Sequence, residues 1–392
     1  MPLSNYIIWS VNPVLLQLGP VAIRWYGLMI VLSFWGGRQV IRYVFRKTGR
    51  PAEDVDKLSG TLLLGMLVSA RLGHVLLHEF TYYYKHPLEA ILPVRLSPHL
   101  HFTGYQGFSM HGAILGGMVA AYLYSSRRIT FSLVPLRFSA TKQRRKGQSS
   151  LWLSTPLTLS LLMVFLIRIG NFFNSETIGK PTHSQYGVLF VRHVLDQLKQ
   201  DVHAIESVKV SKNTLFQEAL DQYPPIILEL TFRENHAEAE TVKLLVERVQ
   251  HHLATDPYIR EHVYQPPKQA LDYKLTKNRK QAYVAQIKTW GIPRHPVQLY
   301  EGFSYLLILL TFLYWWYRDY KTLKDGVIAG TAAVASASLR IVYEFLKESS
   351  RILIQGSYPI TQGHLLSLLT VLGGVALLCY LHTSPQHDKG RS

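Results

Sequence analysis

The residues best placed to do chemistry lie in the stretch Arg168-Ile-Gly-Asn171-Phe-Phe-Asn174-Ser-Glu176-Thr-Ile-Gly179. It closes a long apolar run, 151–167. An arginine, two asparagines and a glutamate therefore stand where a membrane segment would meet its boundary. Ionisable groups at membrane depth are expensive and usually face a cavity or a partner. The plainer alternative has Arg168 reaching to headgroups while Asn171 and Asn174 cap a helix. Gly170 and Gly179 bracket the cluster and favour a site, because glycine allows a ligand close approach to backbone. Further polar groups fall inside or at the edges of other apolar runs: Arg24, Tyr26, Arg71, His111, Tyr300, Glu301, Arg340 and Glu344. The arginine fork donates two hydrogen bonds and stays charged, which suits phosphate. No aspartate lies inside an apolar run, so the carboxylate ligands of a magnesium–pyrophosphate site are missing. The expectation is a phosphate site built on arginine, with no metal and no cofactor.

Those groups need elements to hold them at one depth. Seven apolar runs supply them: 21–44, 58–77, 110–124, 151–173, 297–317, 326–346 and 363–381. Most are long enough to cross a bilayer. The formal charge of +17 could suggest nucleic acid, but its distribution excludes that reading. Residues 174–297 hold 16 Lys/Arg against 14 Asp/Glu. The excess sits in short loops between apolar runs, the positive-inside pattern. It places the N-terminus outside, loops 42–57 and 127–150 inside, and the C-terminus inside. Residues 80–108, rich in tyrosine and histidine, are expected to form an external interfacial arm. Gly112 and Gly116 have the spacing that lets helices approach closely.

The expected fold is an all-α polytopic membrane protein with about seven transmembrane helices. A small α+β external (periplasmic) head domain is inserted between helices 4 and 5. The domains are 1–173 (helices 1–4), 174–296 (the head) and 297–392 (helices 5–7 and a cytoplasmic tail). In the head, 226–233 reads as a strand. Residues 236–254 read as an amphipathic helix with Val242, Leu245, Val246, Val249 and Leu253 on one face. The single cysteine, Cys379, excludes internal disulfides and cysteine metal sites, and reads as a small buried apolar residue. No cleavable signal peptide is expected.

The Arg168–Gly179 stretch resembles the signature of bacterial phosphatidylglycerol:prolipoprotein diacylglyceryl transferases. Further stretches match that family in order: Gly19-Pro-Val-Ala-Ile-Arg-Trp25-Tyr26-Gly27-Leu, Phe108-Ser-Met-His111-Gly112, Arg294-His-Pro-Val-Gln-Leu-Tyr300-Glu301 and Arg340-Ile-Val-Tyr-Glu344-Phe. The chain departs from the family at Ala113 and Ser336 and in the length of its inner loop and head. The resemblance implies a bacterial inner-membrane enzyme. Its partners would be phosphatidylglycerol, membrane lipid and prolipoprotein signal peptides with a lipobox cysteine.

It also implies a reaction, in which diacylglyceryl passes to the cysteine thiol and glycerol-1-phosphate leaves. The nucleophile is then a thiolate from the other protein, and the departing phosphate needs charge stabilisation. His111 is the candidate base, since imidazole titrates near neutrality; it could instead orient substrate while arginines lower the thiol pKa. Arg168 and Arg340 are expected to clamp the phosphate. Tyr26, Asn171, Glu176 and Gly179 are expected at the lipid headgroup, with Asn174, Tyr300, Glu301 and Glu344 in support. Glu344, four residues after Arg340, is equally a plain helical ion-pair partner. Two other classes compete. A transporter or flippase for an anionic lipid would also gather arginines at one depth, but it lacks paired broken helices in repeated halves. A non-catalytic scaffold would tolerate loss of Arg168 or His111.

Overall fold

Helices form where the apolar runs lie, because a chain leaving water must satisfy its own backbone. In the computed structural model they are, in chain order, α1 (Trp25–Lys47), α2 (Ala52–Leu77), α3 (Phe80–Lys85), α4 (Pro87–Ile91) and α5 (Met110–Ser126). Next come α6 (Ser154–Leu161), α7 (Phe165–Phe173), α8 (Arg192–Asp201), α9 (Ala239–Thr255) and α10 (Pro257–Arg260). The last three are α11 (Val297–Asp319), α12 (Val327–Leu346) and α13 (Gln362–Thr383). The structure describes residues 6–19, 21–77, 79–91, 94–95, 101–102, 109–133, 136–142, 154–184, 186–213, 223–233, 238–266, 270–348, 352–354 and 359–383.

Five stretches are long and apolar enough to cross a membrane: Ala52–Leu76, Ser154–Phe173, Val297–Asp319, Val327–Leu346 and Gln362–Thr383. At most 44% of each one's apolar stretch is buried, so these helices present wide apolar faces outward. That is the make-up of a polytopic membrane protein. The two remaining runs of the expected seven are α1, which carries Arg38, Arg42, Arg46 and Lys47, and the 17-residue α5.

The all-α expectation needs correction. Two-stranded hairpins flank the helices: Val14–Leu18 with Val21–Arg24, Val94–Arg95 with His101–Phe102, Arg127–Leu133 with Leu136–Lys142, and Ile352–Ile354 with Ile360–Thr361. Where the chain emerges from an apolar run, its peptide groups still need partners, and a hairpin supplies them locally. The first run therefore begins as strand to Arg24 and turns helical only at Trp25. Part of the basic loop is likewise a hairpin; 143–150, with Arg144, Arg145 and Lys146, lie outside the described residues.

The chain divides into two compact units. One comprises Met1–Ser33, Val164–Leu307 and Ser336–Val371. Its sheet runs Val263–Tyr264, Tyr283–Gly291, Pro225–Phe232, Ile205–Lys212, all antiparallel, with Asp272–Lys277 also on Tyr283–Gly291. Pro225–Phe232 alternates as the sequence predicts, burying Ile226, Leu228, Leu230 and Phe232 completely. Val242, Val246, Val249 and Leu253 of α9 join the same core. Each such side chain contributes roughly 1.5–3 kcal/mol by leaving water.

The other unit comprises Phe34–Met163, Ile308–Ala335 and Leu372–Ser392. Here α2 and α5 pack through glycine, as the small-residue spacing predicts. A Cβ on Gly112 would collide with the Ser69 carbonyl oxygen, and one on Gly116 with the Gly65 carbonyl oxygen. Arg71 of α2 donates from Nε to Ala90 O at 2.8 Å and from Nη2 to Glu89 O at 2.8 Å, and its guanidinium lies over the Tyr83 ring. It clips α3 and α4 to the span.

Candidate active site

The motif stretch folds into the end of α7 and a strained turn, all within the first unit. Arg168 and Asn171 lie on α7. Asn174 caps it, and Glu176 N returns a hydrogen bond to Asn171 O at 2.9 Å. On either side of Glu176, Ser175 and Thr177 take φ of 55° and 56°. This left-handed backbone is a genuine outlier for β-branched threonine and clusters at functional sites. The turn aims Glu176 where Asn174 Nδ2 donates to its Oε1 at 3.2 Å, while Gln298 Nε2 donates to its carbonyl at 2.6 Å. Gly170 and Gly179 do permit close approach, but to protein. Tyr26 Cδ2 would lie 3.1 Å from a Cβ at Gly170, and His295 O 2.5 Å from one at Gly179.

A chain of charges runs from this turn into α11 and α12. Arg168 Nε stands 3.0 Å from Glu301 Oε2, an ion pair whose angle makes no hydrogen bond, and the Glu301 side chain is fully buried. Lys347 Nζ lies 2.6 Å from Glu301 Oε1 and 3.3 Å from Glu344 Oε2. Glu344 Oε1 accepts from Thr361 Oγ1 at 2.9 Å, and Thr361 lies 2.9 Å from His364 Nδ1. The charge of Arg340 acts on both Glu344 and the Tyr305 hydroxyl, and Arg168's reaches Tyr305 too. Arg340 Nε is buried with no hydrogen-bond partner. Ionised groups this far from water must be paired or await a partner. The arrangement can hold an anion at Arg340, whose Nε has no partner, close to the ion-paired Arg168.

A sequence profile for prolipoprotein diacylglyceryl transferase matches residues 13–380. The chain belongs to that family. Among individual relatives, the phosphatidylglycerol–prolipoprotein diacylglyceryl transferase of Chloroherpeton thalassium is 35% identical over 193 residues, 49% of this chain. Its namesake from Tolumonas auensis is 34% identical over 187 residues. The chain spans 62% of the length of each of these two. The Bacteroides fragilis protein of the same name is 23% identical over 95% of both chains.

In this member of the diacylglyceryl transferase family, the motif turn is held by residues distant in the chain. Arg294 donates to Glu261 O (Nε 2.9 Å, Nη2 2.7 Å), to Gly179 O at 3.1 Å and to Glu348 Oε2 at 2.7 Å. His193 Nε2 meets Ser175 O at 3.2 Å and stacks on His262 at 5.8 Å. Burial, the nearby Arg294 charge and His193 push His262 down to about 3, so it is neutral. Burial also lowers His295, whose Nδ1 lies 3.5 Å from the Tyr300 hydroxyl. Below the turn, Trp9 Nε1 donates to Phe172 O at 3.1 Å and Trp25 stacks on Phe173 at 4.7 Å.

Tyr26, Arg168, Asn171, Asn174, Glu176, Gly179, Tyr300, Glu301, Arg340 and Glu344 thus all belong to one unit. His111 belongs to the other, in the first turn of α5, and its side chain lies outside the described residues. Sequence reasoning missed Lys347, Gln298, Thr361 and His364. A lysine three residues after Glu344 and one beyond an apolar run was the available signal for Lys347. Cys379 corrects an expectation: it is exposed on α13, because its helix face points outward rather than into a bundle. Among the described residues, Asp201, His252 and Asp256 could surround a cation, but Asp256 Oδ1 is already the cap for Tyr258 N and Ile259 N.

Proposed function

We propose that the chain transfers diacylglyceryl from phosphatidylglycerol to the lipobox cysteine thiol of prolipoproteins. The observation that carries this is the buried chain of charges ending at an arginine with an uncommitted Nε, in a member of this family. The thiolate sulfur attacks the glyceryl carbon bonded to the phosphate oxygen, a C–S bond forms and that C–O bond breaks. Glycerol-1-phosphate leaves with the electron pair. Arg340 and Arg168 carry the charge building on the phosphate, as guanidinium does best in a site shielded from water. His111 takes the thiol proton or orients the peptide. Tyr26, Asn171, Glu176 and Gly179 border the headgroup, with Asn174, Tyr300, Glu301 and Glu344 supporting them. No step calls for a metal or cofactor.

The reading includes a place. The protein spans a bacterial inner membrane seven times, with its N-terminus and the head (174–296) outside and its C-terminus in the cytoplasm. Complementation tests it. A bacterium depleted of its own transferase would express this chain, and a reporter lipoprotein would be weighed. The expected result is a diacylglyceryl mass gain with the parent chain and none with Arg168→Ala or His111→Ala. An unmodified reporter with well-inserted parent chain would sink the reading.

A further inference from the structure

Lys347 is where the motif turn and the end of α12 are sewn together. Its backbone pairs antiparallel with Gly179, Lys180 N donates to Leu346 O at 2.7 Å, and Glu348 N donates to Ile178 O at 3.2 Å. These bonds fix the lysine before its side chain does anything. Its side chain is then 92% shielded, and its ammonium lies between two carboxylates that are themselves deep, Glu301 and Glu344. Among the sheltered groups, three cations, Arg168, Arg340 and Lys347, face two anions, Glu301 and Glu344, whereas Glu176 is exposed to solvent. One net positive charge remains, which matches the single negative charge of a phosphodiester.

We propose that Lys347 is a positioning residue. It holds Glu301 on Arg168 and occupies Glu344, and so keeps Arg340 available to the substrate phosphate. Without it, two buried carboxylates would share two guanidiniums and the cluster would be neutral. Glu344, one helical turn from Arg340, would then close on that arginine. The space for Glu344 is tightly made: a Cβ on Gly363 would collide with its carboxylate, so it has little freedom except toward its charged neighbours. The inference rests on the phosphodiester reading above and extends it to a residue that touches no substrate.

The test uses the full chain in nanodiscs and two readouts, binding of phosphatidylglycerol against phosphatidylcholine, and transfer to a lipobox peptide followed by mass. Lys347→Met should weaken phosphatidylglycerol binding about tenfold or more, raising its KM more than it lowers kcat. Lys347→Arg should stay within about threefold of the parent, since it restores the charge. The double variant Lys347→Met with Glu344→Gln is the decisive one. It returns the net charge to one positive and should regain most of the binding, whereas a merely structural lysine predicts a double variant worse than the single. Unchanged binding in Lys347→Met, or no recovery in the double variant, would overturn the proposal. A parent chain that binds phosphatidylglycerol but transfers nothing would overturn the transferase reading alone. A parent chain indifferent to the two lipids would overturn both.

Discussion

Two pairs of sheltered arginines teach what an arginine near a membrane is for. Arg71 and Arg294 give their donors largely to backbone carbonyls: Arg71 to Glu89 and Ala90, Arg294 to Gly179 and Glu261. Arg168 and Arg340 do not. Arg168 is held by the charge of Glu301, and Arg340 keeps a buried Nε unpartnered. A guanidinium filled by carbonyls fastens segments together. One balanced by a carboxylate keeps its capacity for an anion, because a carboxylate can yield what a rigid carbonyl ladder cannot. The same residue type is thus a clamp in one place and a receptor in another, and only its partners say which.

The largest expected effects separate the two pairs. Arg294→Ala should lower unfolding stability by about 1–3 kcal/mol, because the buried carbonyls of Gly179 and Glu261 lose their donor. Arg168→Ala and Arg340→Ala should instead cut transfer roughly 10²- to 10³-fold with melting nearly unmoved. Thermal unfolding in detergent alongside specific activity reads both; an Arg294→Ala protein that melts like the parent yet transfers nothing would erase the distinction. Next in size is a pH effect beside the clamp. His262 is held near 3 in the fold against 6.5 in the unfolded chain. Its folded value is depressed, so stability is full above about pH 6.5 and declines as pH falls toward 3, by up to about 1.4 kcal/mol per unit. Melting at pH 7 and pH 5 should show that slope in the parent and a flatter one in His262→Gln; equal slopes would remove His262 as its source. Smallest is the turn. Ser175→Gly should gain up to about 1 kcal/mol by relieving the left-handed backbone while slightly lowering transfer, since Glu176 would wander. A Ser175→Gly protein that is less stable would show that the turn is unstrained.

How much of this was legible depended on whether the signal was local. The strand at Pro225–Phe232 announced itself by alternation, and the α2–α5 contact by the Gly112–Gly116 spacing. Arg168, Asn171 and Glu176 stood out because polar groups are conspicuous against an apolar run. Lys347 did not, because it begins where hydropathy ends and looks like any charge flanking a span. Its meaning lies in Glu301, 46 positions earlier, and in the pairing of its backbone with Gly179. Cys379 was misjudged for a related reason: in a membrane helix an apolar pattern does not say which face meets protein and which meets lipid. The hairpins between runs were also unread: those at 94–102 and 352–361 have strands of two or three residues with little pattern of their own, and the longer ones begin or end inside an apolar or basic stretch that masks alternation.

The strand Ile7–Trp9 pairs in parallel with Val188–Phe190, and Trp9 holds the end of α7 by its indole. This has a consequence for biosynthesis. The partner of Ile7 is made about 180 residues after it. At 5–20 residues per second the ribosome needs about 9 to 36 s to reach it. For that interval the N-terminal strand has no sheet to join, and the motif turn it helps to hold stays unset while α1 to α7 are already made. The strand pair that steadies the motif turn is therefore a late contact, and the charge cluster beside it closes only once the chain has been made through Lys347.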